Sequence, residues 1–205
     1  ASPTEAVLSP TGTHTTPAPT ATQPSIPATP EYIAPPGDGR VIHIFSEQAT
    51  AWNGQGNYWE TINQAKVTEM VNAGILTLTG ASTNADAWRT IIPGYASGQK
   101  IAIKVNFNNM PDAAACNAET GEINSLIEPI NTIIAGLVEM GVAEGDIWIY
   151  DAMRRIPDFF VNRCAFSQVR FFDKYGGCSR REVAGWGSEV VLFSGGISSM
   201  QHLAN

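Results

Sequence analysis

From Arg40 onward, short apolar runs alternate with longer amphipathic stretches, a pattern typical of parallel α/β sheets. The apolar runs predict strands at residues 41–45, 101–107, 147–150, 169–172 and 190–193. The amphipathic stretches predict helices at 58–74, with Gly74 as the stop, at 123–140, ended by Gly141, and briefly at 159–164. The sequence therefore predicts an α/β domain over residues 40–205, with a Rossmann-like, mostly parallel sheet flanked by helices.

Residues 1–39 form a separate segment, which we call the arm. Its first 36 residues hold nine of the thirteen prolines and eight threonines, and their only charged side chains are Glu5 and Glu31. Because proline removes a backbone donor and fixes φ, neither a helix nor a central strand is expected there. The composition predicts an extended, polyproline-like spacer.

Threonine-rich sequence with proline is also typical of O-glycosylated stalks on exported proteins, although an unmodified linker has the same composition. No Asn-x-Ser/Thr acceptor with a non-proline centre occurs, so a glycan would have to be carried by Ser, Thr or modified proline. The threonine candidates are Thr11, Thr13, Thr15, Thr16, Thr20, Thr22 and Thr29. Covalent glycans are therefore among the expected partners.

The arm has too few apolar side chains to offset its own ordering entropy, about 1–2 kcal/mol per residue for the backbone alone. We therefore expect it to be ordered only by contact with its own domain, a neighbouring subunit or attached sugars. The interpretation we favour is a neighbour, since an extended segment can add to an open sheet edge through main-chain hydrogen bonds. The expected assembly anchors are Val7, Leu8, Tyr32 and Ile33.

The charge pattern excludes some partners. Only 15% of the residues are charged, against about 25% in an average domain. Twelve basic and nineteen acidic residues give a net charge of −7, and no run of Lys or Arg exceeds two. We therefore expect no nucleic acid as a partner. No apolar stretch reaches the roughly 20 residues that cross a bilayer, so we expect no membrane span. The stalk-like composition of the arm predicts a secreted or cell-surface location.

Three spaced motifs occur in a fixed order: GQKIAIKVNF at 98–107, MGV at 140–142 and DIWIYD at 146–151, followed by Arg154. From about Arg40 to the C-terminus the chain thereby resembles the N-terminal half of the domain of unknown function 362 family, whose members pair an IKVN strand with a helix and a strand ending in aspartate. The resemblance implies an α/β fold and no particular activity. Members share a later segment that this sequence does not reach, so we expect a short, processed or continuing chain and an incomplete sheet with an exposed edge.

Polar residues follow the second and third predicted strands, where open α/β sheets bind ligands. One hypothesis is an anion or metal site in which Asp151 is ligand or base and Lys104 or Arg154 stabilises charge. The candidate binding residues beside them are Asn106, Asn108 and Arg155. The alternative, which we favour, is a structural pair between a buried Lys104 and Asp151, with asparagines as caps.

Recognised catalytic and metal-binding patterns are missing from the sequence. His14, His43 and His202 are scattered, without zinc-ligand spacing. Gly-x-Ser-x-Gly does not occur, and Gly195-Gly196 lacks the Lys-Ser/Thr of a phosphate loop. We expect no metal and no cofactor.

Three cysteines are consistent with one disulfide and one free thiol. Cys164 and Cys178 flank the predicted fourth strand and would close a fourteen-residue loop, worth about 3 kcal/mol in an exported protein. Cys116 is an alternative partner, and three reduced thiols are the remaining possibility.

Two functions fit these observations. The first, which we favour, is an exported structural protein whose arm docks on a neighbour, giving head-to-tail homo-oligomers that propagate into a glycosylated filament unless they close into a ring. The second is a surface-tethered enzyme or ligand-binding domain with its site around Lys104, Asn106 and Asp151.

Overall fold

The computed structural model describes residue 39, residues 41–186 and three strand fragments at 191–192, 198–199 and 203–204. The chain divides into two units, Ala1–Glu31 and Tyr32–Asn205, and all described residues belong to the second. The predicted arm, with its anchors and threonine candidates, lies outside the described residues except for Gly39.

A four-stranded, all-parallel sheet forms the centre of the domain. Its strands are β1 (Ile101–Lys104), β2 (Ile147–Asp151), β3 (Arg170–Asp173) and β4 (Arg181–Val183), in the order β1-β2-β3-β4. Two antiparallel pairs follow: β5 (Gly185–Trp186) with β8 (Leu203–Ala204), and β6 (Val191–Leu192) with β7 (Ser198–Ser199). The predicted α/β class is confirmed, because helices flank this parallel sheet.

The helices are α1 (Gln64–Thr79), α2 (Asn84–Ile91), α3 (Ile127–Met140) and α4 (Asp158–Val161), with 3₁₀ turns at Tyr58–Thr61 and Glu144–Asp146. Helix α1 packs on α2 and α3, and α2 packs on α3. Side-chain caps begin two of them: Asn63 accepts from Lys66 N at α1, and Thr83 accepts from Asp86 N at α2. Gly141 ends α3 in the left-handed conformation, as predicted.

Several predicted boundaries are wrong. Residues 41–45 alternate half-buried and exposed side chains as a strand would, but no described strand pairs with them, and Val41 and Phe45 remain 89% and 67% exposed. The helix predicted at 58–74 is a 3₁₀ turn followed by α1, which continues to Thr79. Gly74 therefore lies inside α1, and the left-handed cap is Gly80, with φ of 70°.

Several short elements were not predicted, among them α2 and β4. Helix α2 has only eight residues, too few for a clear apolar period, and β4 has three. Residues 190–193, predicted as a fifth strand, contain the two-residue strand β6.

The two faces of the sheet differ in what covers them. Ile147, Ile149 and Phe171 face the main core, where α3 contributes Ile134 and Leu137. On the opposite face Trp148, Phe172 and Ala184 form a smaller buried cluster with half-buried Tyr150. Further along that face, Ala102 and Lys104 of β1 are exposed. This face is therefore exposed at both edge strands, because Glu182 of β4 is exposed as well.

Candidate functional site

Asp151 ends β2 and is almost fully buried, at 2% exposure. Its Oδ2 accepts from Phe107 N at 2.8 Å, and its Oδ1 accepts from Met153 N at 2.9 Å and Arg154 N at 3.1 Å. The carboxylate thus joins the end of β1 to the loop after β2. A carboxylate occupied by three backbone donors is a structural brace and has little capacity left to act as a base.

Asp173 has the same role at the end of β3, with 0% exposure. Its Oδ2 accepts from Ile156 N at 3.1 Å, and its Oδ1 accepts from Tyr175 N at 2.9 Å and Gly176 N at 2.6 Å. Sequence reasoning missed this residue. The available signal was its position, since Asp173 ends an apolar strand as Asp151 does.

The predicted pair between a buried Lys104 and Asp151 is wrong. Lys104 is exposed and donates to Asn106 Oδ1. In the parallel register Lys104 is the partner of Tyr150, so its side chain shares the face of Tyr150. Successive side chains alternate between faces, which places Asp151 on the other side of the sheet. The two charges cannot meet for this reason.

Replacing Asp151 with asparagine tests its bracing role. We expect the free energy of unfolding to fall by about 2 kcal/mol, because the amide NH₂ group cannot accept from the backbone donors that the carboxylate holds. The measurement is urea unfolding followed by tryptophan fluorescence. Asp112→Asn is the matched control, since its side chain is 61% exposed, and we expect a change below about 0.5 kcal/mol. Equal effects of the two substitutions would contradict the assignment.

Asn106 and Asn108 do come together, in a shallow groove of about 410 Å³. The other lining residues are Asn109, Ile123, Asn124 and Ser125. Most of their polar groups hold the loop itself: Ser125 Oγ accepts from Asn106 N at 2.8 Å, and Asn109 Nδ2 donates to Ile123 O at 2.7 Å. The groove presents neutral amides, with Lys104 beside Asn106 as a nearby cation.

The two arginines predicted for the site lie elsewhere. Arg155 Nε donates to Ala114 O at 2.6 Å and its Nη1 donates to Gly176 O at 2.7 Å, while the guanidinium lies 5.1 Å from the centre of the Tyr175 ring. Its Nη1 also contacts Cys178 Sγ. Arg155 therefore braces two loops, and its donors are engaged with the protein itself.

Arg154 belongs to a surface cluster around Asp112. Its Nη1 lies 3.9 Å from the Asp112 carboxylate, which also accepts from Lys174 Nζ at 3.1 Å and from the Tyr175 hydroxyl. The hydroxyl of Tyr175, and next the ammonium of Lys174, hold the pKa of Asp112 below its usual range. Lys104 thus lies apart from Asp151, and the guanidinium groups of Arg154 and Arg155 are engaged with Asp112 and with loop carbonyls instead of a shared pocket.

The predicted disulfide has one partner wrong. Cys178 pairs with Cys116, at a Cα–Cα distance of 5.8 Å, and Cys164 is a free, half-buried thiol. Because Cys178 is bonded to Cys116, Cys164 has no disulfide partner. Burial raises the pKa of the Cys164 thiol.

The Cys116–Cys178 disulfide anchors an unusually short connection between β3 and β4. Only residues 174–180 separate the parallel strands β3 and β4. Parallel strands are usually joined by a crossover of a dozen residues or more. Cys178 lies within this connection and Cys116 lies in the loop after β1. The disulfide therefore ties the β3–β4 connection to the loop after β1.

Within the described residues of the chain, no three His, Cys, Asp or Glu side chains converge as a metal site would require. No helix of residues 39–186 combines the length and the apolar character needed to cross a bilayer.

Comparison of the chain with family models, with curated proteins and with solved structures gives no match. The resemblance to the domain of unknown function 362 family therefore stays a prediction. The fold assignment depends on the parallel sheet and its flanking helices, and the function has to be argued from the geometry alone.

Proposed function

We propose that this protein is a secreted structural subunit whose N-terminal arm docks on a neighbouring copy and builds a head-to-tail assembly. The observation that carries the proposal is the edge of the sheet at β1. No described strand pairs with the outer side of Ile101–Lys104, whereas β2 occupies the inner side.

All-parallel sheets normally have both faces covered, and the parallel sheet here ends in one edge strand at β1 and another at β4. At β1, Ala102 and Lys104 are exposed on one face. The exposed apolar side chains of Val41 and Phe45 add to the accessible surface of the domain. Unpaired edges recruit further strands, so a protein that keeps one accessible is suited to assembly by strand addition.

The polar residues at the carboxyl ends of the strands support the same conclusion. Asp151 and Asp173 each hold three backbone donors, and Arg155 braces the loop that contains Cys178. The polar groups of these three side chains are engaged with the protein itself, which leaves them little freedom to bind or activate a substrate. A scaffold role is therefore favoured over catalysis.

Export is supported by the chemistry of both the domain and the arm. Disulfides such as Cys116–Cys178 persist in oxidising compartments and are rare in the cytosol. The arm combines eight threonines with nine prolines in 36 residues, the composition of O-glycosylated stalks. We therefore include O-glycosylation of the arm in the proposal, with a filament as the open form of the assembly.

The second candidate is a surface-tethered ligand-binding domain. The asparagine-lined groove beside Lys104 favours it, because amides and one cation suit a small polar or anionic ligand. Asp151 has no place in this version, since it lies on the other face of the sheet.

Sedimentation velocity of the full chain, secreted from a glycosylating host, tests the proposal. We expect species larger than the 21.9 kDa polypeptide whose fraction rises with protein concentration, elongated particles in negative-stain micrographs and hexose-sized steps in intact mass. The same chain expressed without glycosylation separates the roles of sugar and protein contacts. A monomer of unmodified mass at every concentration would rule the proposal out.

A further inference from the structure

The open edge of β1 has a definite hydrogen-bonding capacity. Val105 N donates to Tyr150 O at 2.9 Å, and in a parallel ladder alternate residues turn both main-chain groups to the same neighbour. Ala102 and Lys104 therefore direct their N–H and C=O groups away from β2. At Asn106 the outward groups are already bonded to Ser125, which ends the open stretch. The free edge is thus Ile101–Lys104.

An apolar groove adjoins the start of this edge. It measures about 590 Å³, and its apolar lining residues are Ile92, Tyr95 and Ile101. The remaining lining residues are Gly94, Gly98, Gln99 and Lys100. Ile101 and Ile103 are half-buried on the core side of the sheet, whereas Ala102 and Lys104 are exposed on the other side. Successive side chains of a strand added here would alternate between the two faces of the sheet. One aliphatic side chain would lie beside the groove, and its neighbour in sequence would lie on the face of Ala102 and Lys104.

One segment of the arm fits both requirements. Residues 4–9, Thr-Glu-Ala-Val-Leu-Ser, lie between Pro3 and Pro10 and contain no proline, so every backbone donor is present. They include the adjacent aliphatic pair Val7-Leu8. The equally long proline-free run 11–16 has no aliphatic side chain.

The charges of Glu5 and Lys104 select the register in which residues 4–9 would pair with β1. Among the described residues no carboxylate pairs with Lys104, and Glu5 is the charged residue of the segment. With Glu5 opposite Lys104, an antiparallel strand places Val7 opposite Ala102 and Leu8 opposite Ile101, beside the groove. A parallel strand would instead place Pro3 opposite Ala102 and Val7 opposite Asn106, whose main-chain groups are taken.

We propose that residues 4–9 of one copy add to β1 of a neighbouring copy as an antiparallel strand, with Glu5 paired to Lys104 and Leu8 in the groove at Ile101. The inference depends on the proposed head-to-tail assembly and names its contact. Residues 31–34 form a competing apolar segment, which follows Pro30. With Glu31 opposite Lys104, however, an antiparallel strand would place the small Ala34 opposite Ile101, beside the groove.

Charge reversal in the full chain tests the contact. The variants are Lys104→Glu, Glu5→Lys and the double variant, each followed by sedimentation velocity across a concentration series. We expect each single reversal to raise the midpoint concentration of assembly about fivefold, because an exposed ion pair becomes a repulsion. The double variant should return to within about twofold of the wild type. Urea unfolding midpoints identical to the wild type show that the fold is retained.

Mixing the two single variants distinguishes a neighbour's edge from the chain's own. The reversed arm of one variant then meets the reversed edge of the other, so we expect the mixture to assemble at the wild-type midpoint. If the arm docks on its own domain, mixing restores nothing, and the inference fails.

Two matched reversals serve as controls: Lys66→Glu on α1 and Glu31→Lys in the arm should leave the midpoint unchanged. Wild-type assembly that is insensitive to Glu5→Lys, or a Lys104→Glu defect repaired by Glu31→Lys, overturns the inference while the proposed function stands. A wild type that never assembles overturns the proposed function itself.

Discussion

Replacing Cys116 and Cys178 with serine is expected to lower the free energy of unfolding by about 4 kcal/mol. The two residues are 62 positions apart, and closing a loop of that length removes this much chain entropy from the unfolded state. The loss also releases the short connection between β3 and β4. Urea unfolding followed by tryptophan fluorescence measures the difference, and reduction of the wild type should reproduce it.

Cys164→Ser is the matched control for this prediction. Because Cys164 is a half-buried free thiol, we expect its replacement to cost less than about 1 kcal/mol. Thiol titration in denaturant should find one thiol per chain before reduction and three afterwards. Two further thiols without reductant, or a control as destabilised as the double variant, would contradict the Cys116–Cys178 assignment.

Gly136→Ala is expected to destabilise the protein by about 3 kcal/mol, although alanine normally favours a helix. Gly136 is buried on α3, and a Cβ at this position would overlap Nε1 and Cδ1 of the Trp88 indole on α2. Trp88 is itself buried, so the two helices must move apart or the indole must leave its place. Thermal and urea unfolding both report the change.

Gly74→Ala provides the opposite result from a matched position. Gly74 lies inside α1, and a Cβ there would meet Ile44 Cγ1 at 3.5 Å, an ordinary contact. We expect the free energy of unfolding to rise by about 0.5–1 kcal/mol from helix propensity.

The double variant Gly136→Ala with Trp88→Leu tests the contact between these two residues. Its loss of stability should be smaller than the sum of the single effects, because the smaller side chain makes room. Additive losses would show that the two residues do not compete for space.

The substitutions that test assembly and those that test stability lie in different regions of the molecule. Asp151, Gly136 and Cys178 are buried in the interior that keeps the domain folded, whereas Lys104 lies on its exposed edge. A variant such as Lys104→Glu can therefore change association without changing the unfolding transition. This separation lets sedimentation and urea unfolding be interpreted independently.

Several features of the fold were predictable because their causes are local. The apolar runs at 101–107, 147–150 and 169–172 contain β1 and most of β2 and β3, and their alternation with helical stretches favours a parallel sheet. The end of α3 at Gly141 follows from glycine's access to the left-handed region. Each of these signals depends on residues adjacent along the chain.

The candidate site could not be predicted in the same way. Lys104 and Asp151 both follow apolar strand residues, which suggests a pair, but the register matches Lys104 with Tyr150 and so puts the two charges on opposite faces. Similarly, Cys164 is closer in sequence to Cys178 than Cys116 is, yet Cys178 bonds to Cys116. Sequence distance is a poor guide to either relation.

By itself, then, the sequence determined a proline-rich arm, an α/β domain and the positions of its main strands, since periodicity and backbone chemistry act over a few residues. Tertiary structure decided which face each side chain occupies, which cysteines bond and which strands form the edges of the sheet. Those outcomes depend on strand register and on contacts between residues far apart in the chain. The edge at β1 is the one on which the proposed function depends.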